Sequence, residues 1–221
     1  MKIKGIALDM DGLLFDTEGL YFRVGEILLE RRGHRFTHEL QQRMMGRVGL
    51  DAIAQMIQMH ALADAPEDLL AESDDLYADL LTGGVEPMPG LDGWMQHLVE
   101  SRLPFGVATS SRRRFTDRLL PTMPWADQLA FVLTGDDVNQ GKPNPEIYLR
   151  AASKLMIEPE HLLVLEDSGN GTASAVAAGA ITVSVPNANT ANHDFSGATL
   201  IADNLSDPRL LQLINRPDSI R

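Results

Sequence analysis

From Gly90 onward, short apolar runs alternate with helical stretches, and this alternation limits the possible folds more than any other feature of the chain. "PFGVAT" (Pro104–Thr109), "LAFVLT" (Leu129–Thr134), "HLLVLED" (His161–Asp167) and "ITVSV" read as strands, and "ATLIAD" reads as a further one. Helices are expected over "MPGLDGWMQHLVE", "RRRFTDRLL", "NPEIYLRAASKL", the alanine-rich "GTASAVAAGA" and "PRLLQLI". Strands separated by helices imply crossover connections. The expected fold class is therefore α/β, a Rossmann-like parallel sheet core with helices on both faces. The first strand, "IKGIAL" (Ile3–Leu8), stands apart from the others. Between Gly19 and Leu81 the apolar spacing is helical, as in "YFRVGEILLERRG", "LDAIAQMIQMHAL" and "PEDLLAESDDLYADLL", with Gly33 and Gly83-Gly84 as stops. The economical reading is an α-helical domain at 19–84 inserted into an α/β core made of 1–18 and 85–221. An insertion at that point would lie over the carboxyl ends of the strands, where open α/β sheets bind ligands.

The 221 residues, 44% of them hydrophobic, suffice for a core with a smaller inserted domain. No apolar run is long enough to predict a membrane span, and "MKIKGIALDM" does not read as a secretory signal. The absence of cysteine removes disulfides and thiolate chemistry and fits a cytoplasmic protein. The formal charge is −12, and the densest basic run is only Arg112-Arg113-Arg114, so a nucleic-acid partner is not expected. The six histidines form no tight cluster. His34 and His38 are four apart, but Gly33 breaks the helix before them. Met44, Met45, Met56 and Met59 are expected to pack the helical insertion.

Polar residues collect where the strands end. Asp9 and Asp11 follow the first strand; Thr109, Ser110 and Ser111 end "FGVATSS"; Asp136 and Asp137 follow "FVLTG"; Glu166 and Asp167 end "LLVLED". Each group also has an ordinary explanation, as a surface turn or a helix cap. Together they place cation and anion ligands along one edge of the sheet. Asp9 and Asp11 are two apart and face one side if the backbone stays extended, and Gly12 then permits a turn. With Asp167 they would suit Mg²⁺, which prefers hard oxygen ligands. Lys142, in "GKPNPEIYL", reads either as a solvated loop lysine or as a point charge aimed at a phosphate or carboxylate. "NQGK" lacks P-loop spacing.

Four motifs in order, "DMDGLLFDTE", Thr109 in "VATSS", Lys142 in "GKPNPEIYL" and "LEDSGNGTASAVAAGA", resemble the haloacid dehalogenase superfamily in its phosphatase and phosphomutase branch, over essentially the whole chain. The resemblance implies a phosphoric monoester hydrolase working through an aspartyl-phosphate intermediate. It makes Asp9 the nucleophile and Asp11 the general acid/base. Thr109 would bond the transferring phosphoryl group and Lys142 would neutralise its charge. Mg²⁺ would be held by the Asp9 carboxylate, the Asp11 carbonyl and Asp167, with Glu166 ligating or orienting. Backbone N–H groups of Met10, Asp11 and Ser110 are implied phosphate donors. The insertion is implied to be the helical cap, with Arg47 in "MMGRVGLD" as a substrate contact. The dehalogenases of the superfamily lack the second aspartate, so Asp11 speaks against dehalogenation.

The resemblance also covers the β-phosphoglucomutases, which return the phosphoryl group to a sugar. Those enzymes carry a histidine in a "HFR"-like stretch of the cap, and here Tyr21 stands in "YFR". Their cap loop has a lysine just before its glycine and an arginine three residues after it; here Met45 precedes Gly46, and Gly49 stands in the later place. These departures favour a phosphatase acting on a small phosphorylated metabolite, with a sugar phosphate as the expected substrate. A mutase, and a binding protein with a dead site, are the alternatives. A monomer or a small homo-oligomer is compatible with this reading, since cap closure can complete a site within one chain.

Overall fold

The structure, a computed structural model, describes residues 2–44, 47 and 49–214. The chain divides into two compact units, Met1–Asp16 with Val85–Arg221, and Thr17–Gly84.

In the first unit six strands form one parallel sheet. They are β1 (Gly5–Leu8), β2 (Phe105–Ala108), β3 (Leu129–Leu133), β4 (Leu162–Glu166), β5 (Ile181–Ser184) and β6 (Leu200–Ile201), in the order β3-β2-β1-β4-β5-β6. Every residue of β1, β2, β4 and β5 is buried. Consecutive buried positions mean that both faces of the sheet are covered, which is how parallel sheets occur. The edge strands β3 and β6 are partly exposed. From the central β1 the chain fills one side of the sheet with β2 and β3, then crosses to β4, β5 and β6. The order therefore reverses at β1, and the crevice at such a reversal is where open α/β sheets place their ligands.

The strands are shorter than the sequence suggests by one or two residues at their ends. The polar residues after β1 and β2 still donate to the neighbouring strand, the Asp9 N–H to the Leu165 carbonyl and the Thr109 N–H to the Leu133 carbonyl, both at 3.0 Å. Between strands the chain forms α5 (Leu91–Ser101), α6 (Arg113–Leu119), α7 (Glu146–Lys154) and α8 (Gly169–Ala177), and α9 (Pro208–Ile214) follows β6. On one face Ile147, Tyr148, Ala151 and Ala152 of α7 and Ala175 of α8 pack with Ala7, Ala108, Phe131, Leu133 and Val164 of the sheet. The small residues of α7 and α8 let both helices approach the strands closely. The segments at the division run side by side: Asp16 N–H donates to the Glu86 carbonyl at 2.9 Å, and Phe15 bridges to Pro87.

The second unit holds α1 (Glu18–Glu30), α2 (His38–Met44), α3 (Leu50–His60) and α4 (Pro66–Leu81). Leu28, Leu29, Leu40, Ile53, Met56, Leu69 and Tyr77 are buried in it. Phe36 packs so tightly on α1 that a Cβ at Gly25 would lie 2.4 Å from its ring. Arg32 bridges Asp64 and Glu72, at 2.6 and 2.7 Å, and ties the end of α1 to α4. Met45 and Gly46, which bear on the mutase comparison, lie outside the described residues. No helix among the described residues is long and apolar enough to cross a membrane.

Candidate active site

Strand register brings the carboxylates together. Leu8 of β1 pairs with Leu165 of β4, and the Asp9 N–H donates to the Leu165 carbonyl at 3.0 Å. The ladder thus continues one residue past β1 and sets Asp9 beside Glu166, the last residue of β4. Leu8 also pairs with Val107 of β2, so Ala108 and Thr109 lie on the other side of Asp9. Carboxylate oxygens of Asp9, Glu166 and Asp167 all lie within 4.8 Å of one another, and all three residues are buried.

Lys142 enters from the loop before α7. Its Nζ donates to Asp9 Oδ1 at 2.5 Å, to Glu166 Oε1 at 2.5 Å and to the Ala108 carbonyl at 3.0 Å. All three ammonium protons are used. Tyr148 of α7 donates its hydroxyl to Glu166 Oε1 at 2.5 Å, and Ser168 Oγ donates to Glu166 Oε2 at 3.2 Å. Both oxygens of Glu166 are therefore engaged. Ser168 also caps α8 by accepting the Gly171 N–H at 3.1 Å. A Cβ at Gly171 would fall 1.9 Å from the Glu166 carboxyl carbon, so only glycine lets the first turn of α8 pass this close.

Asp11 has a different setting. Its Oδ2 accepts from Ser111 Oγ at 2.6 Å and Thr109 Oγ1 at 3.1 Å, and Thr109 Oγ1 accepts the Ser111 N–H at 3.0 Å. Its carboxylate thus lies with the hydroxyls after β2, while those of Asp9, Glu166 and Asp167 cluster together. Asp167 accepts at Oδ2 from Asn187 Nδ2, 2.9 Å away, in the loop after β5.

The charges are unbalanced toward the negative. Burial pushes the Asp9 carboxyl up to about 8; the Lys142 ammonium pulls the other way, and the Glu166 and Asp11 carboxylates add to the rise. Burial, with the charges of Asp9 and Glu166, pushes Asp167 up to about 9. Burial opposes the charged form of Lys142, but Asp9 and Glu166 outweigh it and hold the ammonium well above the usual lysine range. Clustered hard oxygen donors whose ionisation is resisted by burial and then by their mutual repulsion suit a small divalent cation. By that criterion the donor set fits Mg²⁺.

The remaining expected residues fall as follows. The Met10 side chain is fully buried, so only its backbone is available to a ligand. Ser110 is exposed beside Thr109. Arg47 lies exposed in the helical unit, its Nε donating to the Arg43 carbonyl at 3.0 Å. Asp136 and Asp137 serve structure: Asp137 accepts from Thr134 and Arg113 and caps a short 3₁₀ turn, and Asp136 accepts the Arg113 N–H. Tyr148, Ser168 and Asn187 do not stand out in the sequence, and Ser111 reads there only as part of a polar strand end. The same strand-end rule applied to β5 flags "PNAN" and would have found Asn187.

The sequence profile of the haloacid dehalogenase-like hydrolases matches residues 6–185. The chain is 34% identical over 195 residues to (DL)-glycerol-3-phosphatase 2 of Arabidopsis thaliana, covering 84% of this chain and 80% of that protein. It is 30% identical over 181 residues to a phosphorylated carbohydrates phosphatase of Thermotoga maritima, covering 80% and 82%. The crystal structure of a β-phosphoglucomutase, so named provisionally, from Thermotoga maritima superposes with a TM-score of 0.78 at 26% identity, covering 96% of this chain and 97% of that one.

Proposed function

The chain belongs to the haloacid dehalogenase-like hydrolases and is a phosphoric monoester hydrolase, and from that premise we propose that it hydrolyses a small phosphorylated metabolite, a sugar or polyol phosphate, with Mg²⁺ and through an aspartyl phosphate on Asp9. The observation that carries this reading is the buried group of Asp9, Glu166 and Asp167 with Lys142 set between two of them.

In the proposed reaction a carboxylate oxygen of Asp9 attacks phosphorus as the bond to the leaving oxygen breaks, and Asp11 gives that oxygen its proton. Asp11 then takes a proton from water as the water oxygen attacks phosphorus. The bond to Asp9 breaks and inorganic phosphate leaves. Thr109 and Ser111 hold the Asp11 carboxylate in place, and Thr109 turns its hydroxyl to the phosphoryl group when substrate is bound. Lys142 pulls the Asp9 carboxyl toward its ionised form against the effect of burial and meets the charge on the transferring group. The Asp9 and Asp167 carboxylates with the Asp11 carbonyl would hold Mg²⁺, which when bound supplies charge neutralisation at the phosphoryl oxygens. Glu166 has both oxygens in hydrogen bonds, which supports orienting Lys142 over ligating the cation. Backbone N–H groups of Met10, Asp11 and Ser110 complete the phosphate donors. We assign the unit Thr17–Gly84 the role of a cap that selects substrate, with Arg47 as its contact residue.

The test is phosphate release from para-nitrophenyl phosphate and from a panel of sugar phosphates, polyol phosphates, phosphoglycolate and nucleotides. Release is expected with Mg²⁺ and not with EDTA, and Asp9→Asn, shown to be folded by circular dichroism, is expected to be inactive. Absence of metal-dependent release by folded wild-type protein overturns the proposal. The structural likeness to a β-phosphoglucomutase favours one second reading, a sugar phosphomutase. Conversion of β-glucose 1-phosphate to glucose 6-phosphate without net phosphate release would establish it instead.

A further inference from the structure

Asn187 stands where the chain leaves β5, and its amide joins two loops of the carboxylate site. Its Oδ1 accepts the backbone N–H of Asn189 at 2.8 Å and of Thr190 at 3.2 Å. Its own N–H donates to Thr190 Oγ1 at 3.0 Å. These bonds close a small turn and fix which way the amide faces, because an NH₂ group in place of that oxygen would meet two further donors. The NH₂ is thereby aimed at the site. Nδ2 donates to Asp167 Oδ2 at 2.9 Å and to the Gly12 carbonyl at 3.1 Å. Both protons and both lone pairs of the amide are used.

The approach is close on every side. A Cβ at Gly12, whose φ is +78°, would stand 2.4 Å from Asp167 Oδ2 and 2.8 Å from Asn187 Nδ2. Gly12 directly follows Asp11, whose carbonyl is a proposed cation ligand, so one amide ties the loop bearing Asp9 and Asp11 to Asp167. It does so without adding charge. A lysine in that place would also donate to Asp167, but it would cancel the negative charge that a cation needs. A neutral amide holds one oxygen of Asp167 and leaves the other for a ligand.

We propose that Asn187 is a positioning residue of the cation site, setting the spacing and orientation of the Asp167 carboxylate against the loop after β1. The proposal rests on the Mg²⁺ reading above. The test is calorimetric titration of Mg²⁺ into wild-type protein, Asn187→Leu, Asn187→Ala and Thr190→Val, with melting temperatures recorded with and without Mg²⁺. Loss of a group that orients a metal ligand weakens metal affinity by roughly 10–100-fold. Both Asn187 variants are expected to show that loss. They should also need correspondingly more Mg²⁺ for half-maximal phosphate release, with the substrate KM unchanged at saturating Mg²⁺. Thr190→Val loosens the same turn but keeps the amide, so its melting temperature should fall while its Mg²⁺ affinity stays that of wild type. If one Asn187 variant does not fold, the other decides. Wild-type affinity in a folded Asn187 variant, or an equal loss in Thr190→Val, overturns the inference and leaves the Mg²⁺ reading intact. A wild-type protein that takes up no Mg²⁺ overturns both.

Discussion

The Lys142 ammonium lies between two buried carboxylates, and each of the three would be costly to bury alone. Removing one partner of a buried ion pair typically costs about 3–5 kcal/mol, because the remaining charge keeps its burial penalty and loses its compensation. Lys142→Met is therefore expected to lose about that much stability in urea unfolding at pH 8. The loss should shrink from pH 8 toward pH 5, because Asp9, pushed up to about 8 by burial, is protonated there and leaves no uncompensated charge. Phosphate release should be abolished at both pH values. A variant as stable as wild type at pH 8 would mean that the Lys142 contacts carry no net weight. Lys142 was readable because glycine and proline flank it in a short polar stretch, and Asp9 and Asp11 because they follow an apolar run directly. Tyr148 was not. It reads as one more large residue on a helix, and its role depends on how far α7 sinks toward the sheet, a distance that local sequence does not carry. Asn187 was hidden for a related reason: its partners Asp167 and Gly12 are distant in sequence and meet it only through the strand order.

The first turn of α8 and the first turn of α5 each contain a glycine, and physical context gives them opposite signs. Glycine within a helix costs about 0.5–1 kcal/mol relative to alanine. At Gly93, exposed on α5, a Cβ would meet nothing within 4 Å. Gly93→Ala is expected to stabilise the protein by about 0.5 kcal/mol. At Gly171 the same Cβ would fall inside the Glu166 carboxylate, whose oxygens would be 2.0 Å away. Gly171→Ala is expected to push Glu166 off Lys142 and Tyr148, lowering both the melting temperature and phosphate release. Thermal unfolding of the two variants side by side checks the contrast, and a stabilising Gly171→Ala would show that Glu166 is free to move. The strands were legible from their apolar runs. Their ends were less so, since whether a terminal residue stays in the ladder is settled by its neighbour's register. The seven-residue α2 did not separate from the helical background around it, and β6 is a two-residue edge with little pattern to read.

The α/β alternation made the sheet legible, and the resemblance made a hydrolase of phosphate esters legible, but the imbalance of charge inside the site appears only when the four segments meet. That imbalance reaches the stability of the entire protein through linked proton binding. Asp9 and Asp167 ionise at about 8 and about 9 in the folded chain, against an ordinary carboxylate value of 3.8. Between roughly pH 4 and pH 9 the native state thus holds protons that the unfolded chain has released, and stability falls as pH rises wherever the native state binds more protons. Carboxylates held below their ordinary range, such as Asp64 and Glu72 bonded by Arg32 and Asp137 bonded by Thr134 and then Arg113, act in the opposite sense, losing stabilisation as pH falls through the acid range. Metal-free protein is therefore expected to melt at progressively lower temperature from pH 6 to pH 9. A cation bound to the ionised carboxylates competes with those same protons, so Mg²⁺ should protect more strongly the higher the pH. The expected result is a rise in melting temperature on adding Mg²⁺ that is small at pH 6 and larger at pH 8.5, accompanied by proton release measurable in weakly buffered calorimetry. Asp167→Asn should remove most of the pH dependence of that rise. A Mg²⁺ effect that is independent of pH, or larger in acid, would mean that the cation does not draw on the Asp9 and Asp167 carboxylates.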